Sequence, residues 1–398
     1  MKISTTTFHR NALEAMLRQQ ERLARTQNQI ATGRRLQTAA DDPAASVQIL
    51  ELRRALAAAD QYRSTAINAR NRLLLEEATL ADATELLQRV RELALRANSP
   101  LLDDATRAML SVEVRERMRE LTAIANRQDA NGEYLFAGYA VRTEPFQRSP
   151  GGAVQYAGDS GVRAQLIAPG QTVPDGHSGD AVFVRVPQAN GTFVTDVAAV
   201  NTGNAWIDVG TVIDYAAWVP DNYTIVFTAP DSFEIRDSGN ALVASGSYVS
   251  GAAIAFRGIS VAITGTPASG DRFSVRPAAS ESLFATLDRL LAALSMPLVT
   301  SADRAVLTTK LTASLHQLTQ GVDHLLAVRA EVGARVSAID SADAAREAFQ
   351  LENQRLLSQL QDVDYAAAVS LMNQQLLALQ AAQQSYTRIA QLSLFNYL

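Results

Sequence analysis

The chain has 398 residues, a formal net charge of −5, 47 % hydrophobic and 19 % charged residues, and no cysteine. That length allows two or three domains with a sizeable core, and the composition is too apolar for a disordered chain. The acidic balance excludes a chain built as a whole to coat nucleic acid or an anionic membrane, and the lack of cysteine excludes disulfides, thiolate metal sites and cysteine nucleophiles.

The first twenty residues, MKISTTTFHRNALEAMLRQQ, contain no apolar h-region followed by a small-residue cleavage site. Export, if it occurs, is therefore expected to need no cleaved apolar leader. No run of 18 apolar residues is present, so no membrane insertion is expected. Leu13, Met16, Gln20, Leu23, Gln27 and Ile30 alternate spacings of three and four and predict a first helical arm with a coiled-coil seam. Residues 1–40 hold seven cations against Glu14 and Glu21, which reads as a solvated face or a contact with an acidic neighbour.

Asp41 and Asp42 precede Pro43, an N-cap signal with proline at the first helical position. The helix expected there runs to about residue 98, just before Pro100, a length of roughly 80 Å. Its seam is Leu52, Ala55, Ala59, Tyr62, Ala66, Ala69, Leu73, Glu76, Leu80, Ala83, Leu87 and Val90, broken only by Glu76. A third helix follows Asp103 and Asp104, with Leu110, Val114, Met118, Leu121 and Ala125 on one face.

Of the 21 glycines, 18 lie between Gly132 and Gly270, and 9 of the 12 prolines lie between Pro145 and Pro277, so a turn-rich β region is expected between helical flanks. YTIVFTA (223–229), SFEIRD (232–237), ISVAITG (259–265) and RFSVRP (272–277) read as strands. The stretch 187–212 carries no pattern that assigns it. Helix returns at Leu283, with a heptad run from Leu311 to Ile339. A final arm places Val369, Met372, Leu376, Leu379, Gln383 and Tyr386 on one seam. The glutamines Gln20, Gln27 and Gln383 are read as polar seam residues that set register. Residues 360–398 carry only Asp362, Asp364 and Arg388 as charges, so this arm is expected to be covered by neighbours on several sides.

The fold class is therefore mainly α with an inserted all-β domain: a long coiled-coil-like bundle formed by both chain ends, with a β-rich outer domain in the middle. Boundaries are expected at 1–40 plus 360–398 (terminal arms), 41–139 plus 281–359 (helical core) and 140–280 (β domain).

No P-loop, dinucleotide fingerprint or H-E-x-x-H occurs. His9, His177, His316 and His324 show no ligand spacing and read as surface or seam residues. Most of the acidic residues of the β region sit beside Gly, Ser, Pro or Asn, as turn residues do. No catalytic residue, cofactor or metal is expected, and the chain is read as a structural protein.

Four motifs coincide in order along the chain: ATGRRLQTAADDPAA (31–45), NGEYLFAG (131–138), DVDYAAAV (362–369) and the terminal LSLFNYL (392–398). Together they resemble the flagellin superfamily, and the second and fourth are most similar to its hook-associated members. The resemblance covers about 1–140 and 281–398, and 223–277 looks like the β domain of hook-associated proteins. It implies an extracellular subunit of the bacterial flagellum, at the junction of hook and filament, exported by the flagellar type III route. The implied partners are copies of the chain in a helical ring or tube, a neighbouring hook-associated protein on the hook side, flagellin on the filament side, and a cytoplasmic export chaperone at the C-terminal region.

The expected assembly interface comprises Leu13, Met16, Gln20, Leu23, Gln27, Ile30, Gly33, Leu36, Asp41 and Asp42 in the first arm. In the second it comprises Tyr365, Val369, Met372, Leu376, Leu379, Gln383, Tyr386, Leu394, Phe395 and Tyr397. Three other readings compete: a flagellin of the filament itself, a coiled-coil adhesin displaying a β head, and an enzyme with an unrecognised site in the β domain.

Overall fold

The computed structural model describes residues 5–99 and 102–391. Three helices come first, α1 (Thr5–Thr32), α2 (Pro43–Ala97) and α3 (Asp104–Ala125). Asp42 Oδ1 accepts the Ala45 amide at 3.0 Å, which caps α2, and Pro43 has no amide proton to satisfy. Asp103 caps α3 through the Thr106 amide. All twelve positions of the expected α2 seam are buried or half-buried, including Glu76. The expected inner face of α3 is buried throughout.

The helical return is three elements, α4 (Leu283–Leu294), α5 (Ser301–Gln361) and α6 (Tyr365–Gln391). Pro297 lies in the α4–α5 gap, where it cannot continue a helix. α5 restarts on a reciprocal cap: the Thr300 hydroxyl accepts the Asp303 amide while the Asp303 carboxylate accepts the amides of Val299 and Thr300.

By contact density the chain forms two compact units, residues 1–64 with 342–398, and residues 65–341. The division passes through α2 and α5. The sequence places its expected boundaries elsewhere, at composition changes near 40, 140, 280 and 360. A long helix carries backbone hydrogen bonding through a change of partners without any glycine or proline to mark it.

All described strands lie in the second unit. Two hairpins come first, β1 (Phe146–Arg148) with β2 (Val154–Tyr156), and β3 (Ala164–Ala168) with β4 (Gln171–Pro174). A π-helical turn spans Asp180–Val184. The unassigned stretch 187–212 supplies the end of β5 (Val186–Pro187), then β6 (Phe193–Val197), β7 (Trp206–Ile207) and β8 (Thr211–Val212). The four expected strands follow as β9 (Tyr223–Ala229), β10 (Ser232–Arg236), β13 (Ile259–Thr264) and β14 (Arg272–Pro277), with two further strands between them, β11 (Leu242–Ser247) and β12 (Ala253–Phe256). The last, β15 (Ser280–Glu281), pairs with β5.

One antiparallel sheet has the order β11-β10-β9-β14-β6, and a second joins β12, β13 and β7, with β8 also on β13. Alternation buries Tyr223, Ile225 and Phe227 of β9, Phe233 and Ile235 of β10, and Phe273 and Val275 of β14. These meet Ile254, Phe256, Ile259, Val261 and Ile263 of the other sheet in one apolar cluster. Met296 and Val306 pack against the same cluster, so the β core is continued by the α4–α5 region.

Candidate assembly interface

The two terminal arms pair. α1 and α6 run antiparallel: His9 packs edge-on against Tyr386, the Gln19 side-chain amide donates to the Gln375 carbonyl at 3.1 Å, and the Arg35 guanidinium donates to the Leu360 carbonyl at 2.9 Å. The inward positions of α1 are Ala12, Met16, Gln19, Leu23, Thr26 and Ile30, all buried or half-buried. On α6 they are Ala368, Met372, Gln375, Leu379, Ala382 and Tyr386.

This corrects half of the expected seam. Met16, Leu23, Ile30, Met372, Leu379 and Tyr386 lie in it, whereas Leu13, Gln20, Gln27, Val369, Leu376 and Gln383 are exposed. Two heptad frames share every second member, and the larger apolar residues Leu13, Val369 and Leu376 belong to the wrong one. Close approach of two helices favours the smaller side chains Ala12, Thr26, Ala368 and Ala382. Polar seam residues do occur, but they are Gln19 and Gln375. Gln20, Gln27 and Gln383 therefore do not set the register of this pair. The larger apolar side chains are left outside, Leu13 and Leu17 on α1 and Val369, Leu371, Leu376 and Leu377 on α6.

Where the arms join the longer helices, the motifs 31–45 and 362–369 come together. Gly33 has φ +70°, and a Cβ there would stand 3.0 Å from the Tyr365 hydroxyl. The Gly33 carbonyl accepts the Val363 amide at 3.0 Å, and the Gln361 carbonyl accepts the Arg35 amide at 2.7 Å. Arg53 reaches the Gln361 side chain at 2.6 Å. Asp364 caps α6 through the Ala367 amide. The Asp41 carboxylate accepts the amides of Gln37 and Thr38 and faces Arg25 at 3.5 Å. Those backbone donors, Thr38 first, hold the Asp41 carboxyl below its ordinary range. Leu36 is half-buried in this loop, and Tyr365 is exposed beyond its hydroxyl contact. Leu394, Phe395 and Tyr397 lie outside the described residues.

The third motif, NGEYLFAG, is an internal anchor of the 65–341 unit. Arg72, buried on α2, donates to Asp129 at 2.7 Å and to the carbonyls of Tyr134 and Leu135. Phe136 is fully buried against Phe183, which in turn meets Phe146 and Phe284. Beside it, Glu76, the break in the α2 seam, is 1 % exposed, and its Oε1 lies 2.7 Å from His177 Nδ1. His177 Nε2 faces Glu331 of α5 at 3.2 Å. His177 is thus an internal tie between α2, α5 and the segment after β4, a role its sequence context does not signal. Among the described residues, no cluster of His, Cys, Asp or Glu could hold a metal, and no helix is long and apolar enough to cross a membrane.

Terminal helices paired antiparallel, a Gly-Arg-Arg loop closed on an Asp-Tyr-Ala motif, and a β region carried between long helices define a flagellin-type subunit. The bacterial flagellin N-terminal helical region matches residues 3–141. Flagellar hook-associated protein 3 of Escherichia coli K12 is 26 % identical over 397 residues, covering 100 % of this chain and 99 % of its own length. FlgL of Xanthomonas campestris, in its H3 crystal form, is 34 % identical with a TM-score of 0.69, covering 73 % of this chain and 95 % of that one. Flagellar hook-associated protein-3 of Legionella pneumophila is 30 % identical with a TM-score of 0.76, covering 78 % and 98 %. The chain belongs to the flagellar hook-associated protein 3 family.

Proposed function

We propose that this chain is the structural subunit that joins hook to filament in the bacterial flagellum and templates filament assembly. It acts outside the cell, as part of the flagellum, and performs no chemistry. Its partners are copies of itself in a ring or tube, another hook-associated protein on the hook side and flagellin on the filament side. It leaves the cell by the flagellar type III route, and a cytoplasmic chaperone guards its C-terminal region beforehand.

The observation that carries the assembly reading is the α1–α6 pair. Its internal seam alternates larger side chains such as Leu23 and Leu379 with small or polar ones such as Ala12 and Gln375, while a second set of apolar side chains, including Leu13, Leu17, Leu376 and Leu377, stays exposed. Exposed apolar rows on helices of this length mark interaction surfaces. Neighbouring subunits covering that outer row would bury what one chain cannot. Gly33, Asp41, Asp42 and Tyr365 would then fix the angle at which the arms leave the longer helices. Deletion of the gene followed by electron microscopy tests the role: hooks without filaments, with flagellin shed into the medium, are expected. Full-length filaments on the deletion strain would refute it, and failure to make hooks would place the protein earlier in assembly.

A further inference from the structure

Among the buried and half-buried arginines of the 65–341 unit, ion pairing has one exception. Every other arginine there that is buried or half-buried faces a carboxylate within ion-pair distance, Arg72, Arg107, Arg163 and Arg329 among them. Arg276, on β14, is half-buried and has no ion pair or side-chain hydrogen bond among the described residues. It lines a cleft of about 200 Å³ whose other walls are β6, α4 and α5. Lys310 of α5, an exposed residue, lines the same cleft and has no ion pair among the described residues.

Ala292, Ala293 and Ala313 keep the walls short. The hydroxyl residues of the lining are engaged elsewhere: Thr195 donates to the Asp208 carbonyl, Ser314 to the Lys310 carbonyl, and Thr309 accepts the Ile207 amide. Arg289 stands at the rim but is turned to Glu281. Asp196 also lines the cleft; its Oδ1 accepts the Val197 amide, and it makes no ion pair with Arg276 or Lys310. Counting Asp196 and Glu281 against Arg276, Arg289 and Lys310 leaves one positive charge uncompensated. A half-buried guanidinium loses hydration without recovering it from a partner, which is unfavourable unless an anion enters. Its planar fork and a nearby ammonium match two oxygens of a carboxylate, phosphate or sulfate.

We propose that the cleft between β6, α4 and α5 is a binding site for a small oxyanion, held by Arg276 and Lys310. The oxyanion is either a free ion or the carboxylate of an adjoining subunit; the two present the same chemistry to the site.

Lys2 and Lys310 are the only lysines of the chain. Full-length protein labelled with carbon-13 at lysine Cε therefore reports Lys310 nearly alone. Inorganic phosphate is titrated at constant ionic strength, with chloride making up the balance so that general screening does not change. Saturable movement of the Lys310 signal is expected, with Lys2 unmoved. Arg276→Gln should weaken the apparent affinity about tenfold by removing a charge-assisted fork, with an unchanged far-UV spectrum. Lys310→Met should weaken phosphate binding to a similar degree, read by calorimetry. Loss of phosphate binding on assembly into flagella assigns the natural oxyanion to a neighbour's carboxylate, and retention assigns it to a free ion. A linear, non-saturating response that is the same in wild type and Arg276→Gln overturns the proposal. So does equal affinity in all three proteins.

Discussion

Replacing Glu76 by leucine sets two readings against each other. On the heptad alone, Glu76→Leu completes the apolar stripe of α2 and should stabilise the helix, since burying a Leu-sized side chain contributes about 1.5–3 kcal/mol. The structure gives the opposite sign. Glu76 is 1 % exposed and its Oε1 meets His177 Nδ1 at 2.7 Å. Replacing Glu76 leaves the buried Nδ1 of His177 without its partner, while Nε2 keeps Glu331 at 3.2 Å; by the measure of a buried pair broken on one side this costs about 3–5 kcal/mol. Subtracting the leucine burial leaves a net loss of about 2 kcal/mol at mid-range, between extremes of about 0 and 3.5. For a unit of this size the mid-range loss corresponds to a fall of roughly 4–8 °C in the unfolding midpoint. Circular dichroism on heating should show it, and Glu76→Leu with His177→Leu should recover most of the loss, since replacing both partners by apolar groups is close to neutral. An unchanged or raised midpoint in the single variant would refute the reasoning.

Gly33→Ala forces a side chain into a left-handed backbone position against the Tyr365 hydroxyl, so a loss of about 1–2 kcal/mol is expected, visible as faster amide exchange of Arg35 and Val363. Gln19→Leu should remove the bond to the Gln375 carbonyl and alter trypsin cleavage at Arg18 and Arg22, whereas Gln20→Leu, on the exposed side, should leave cleavage unchanged. The depressed Asp41 carboxyl contributes stability that is fully present above its unfolded value of about 3.9 and is lost as pH falls through its lower folded value. Amide exchange at Gln37 and Thr38 should therefore rise only at strongly acid pH, and Asp41→Asn should abolish that dependence. Tyr156, pushed up to about 12 chiefly by burial, stays neutral in the fold while the unfolded chain ionises near 10. Stability should fall as pH rises from about 10 to 12, and Tyr156→Phe should flatten that slope.

What was legible in the amino-acid sequence is what short-range periodicity and punctuation encode. Helix starts at Pro43 and Asp104 follow from side chains that reach amides three residues on. β9, β10, β13 and β14 follow from alternation, and the α2 seam from Leu52 to Val90 follows from a pattern long enough to admit one frame. Family membership was legible because its motifs are contiguous. Where two frames fit, as in α1 and α6, the sequence did not choose between them. Side-chain volume across the helix pair decides, and the two sides lie far apart in the chain: Gln19 meets Gln375, 356 residues on. Among the strands from 186 to 212, β5, β7 and β8 were illegible because a strand of two residues has no period; pairing with β15 and β13 and the burial of Val186 and Ile207 hold them. Glu76 read as a flaw and His177 as filler until the fold brought them together. The Arg276 cleft, too, exists only in three dimensions, because a missing counter-charge is a property of neighbours in space.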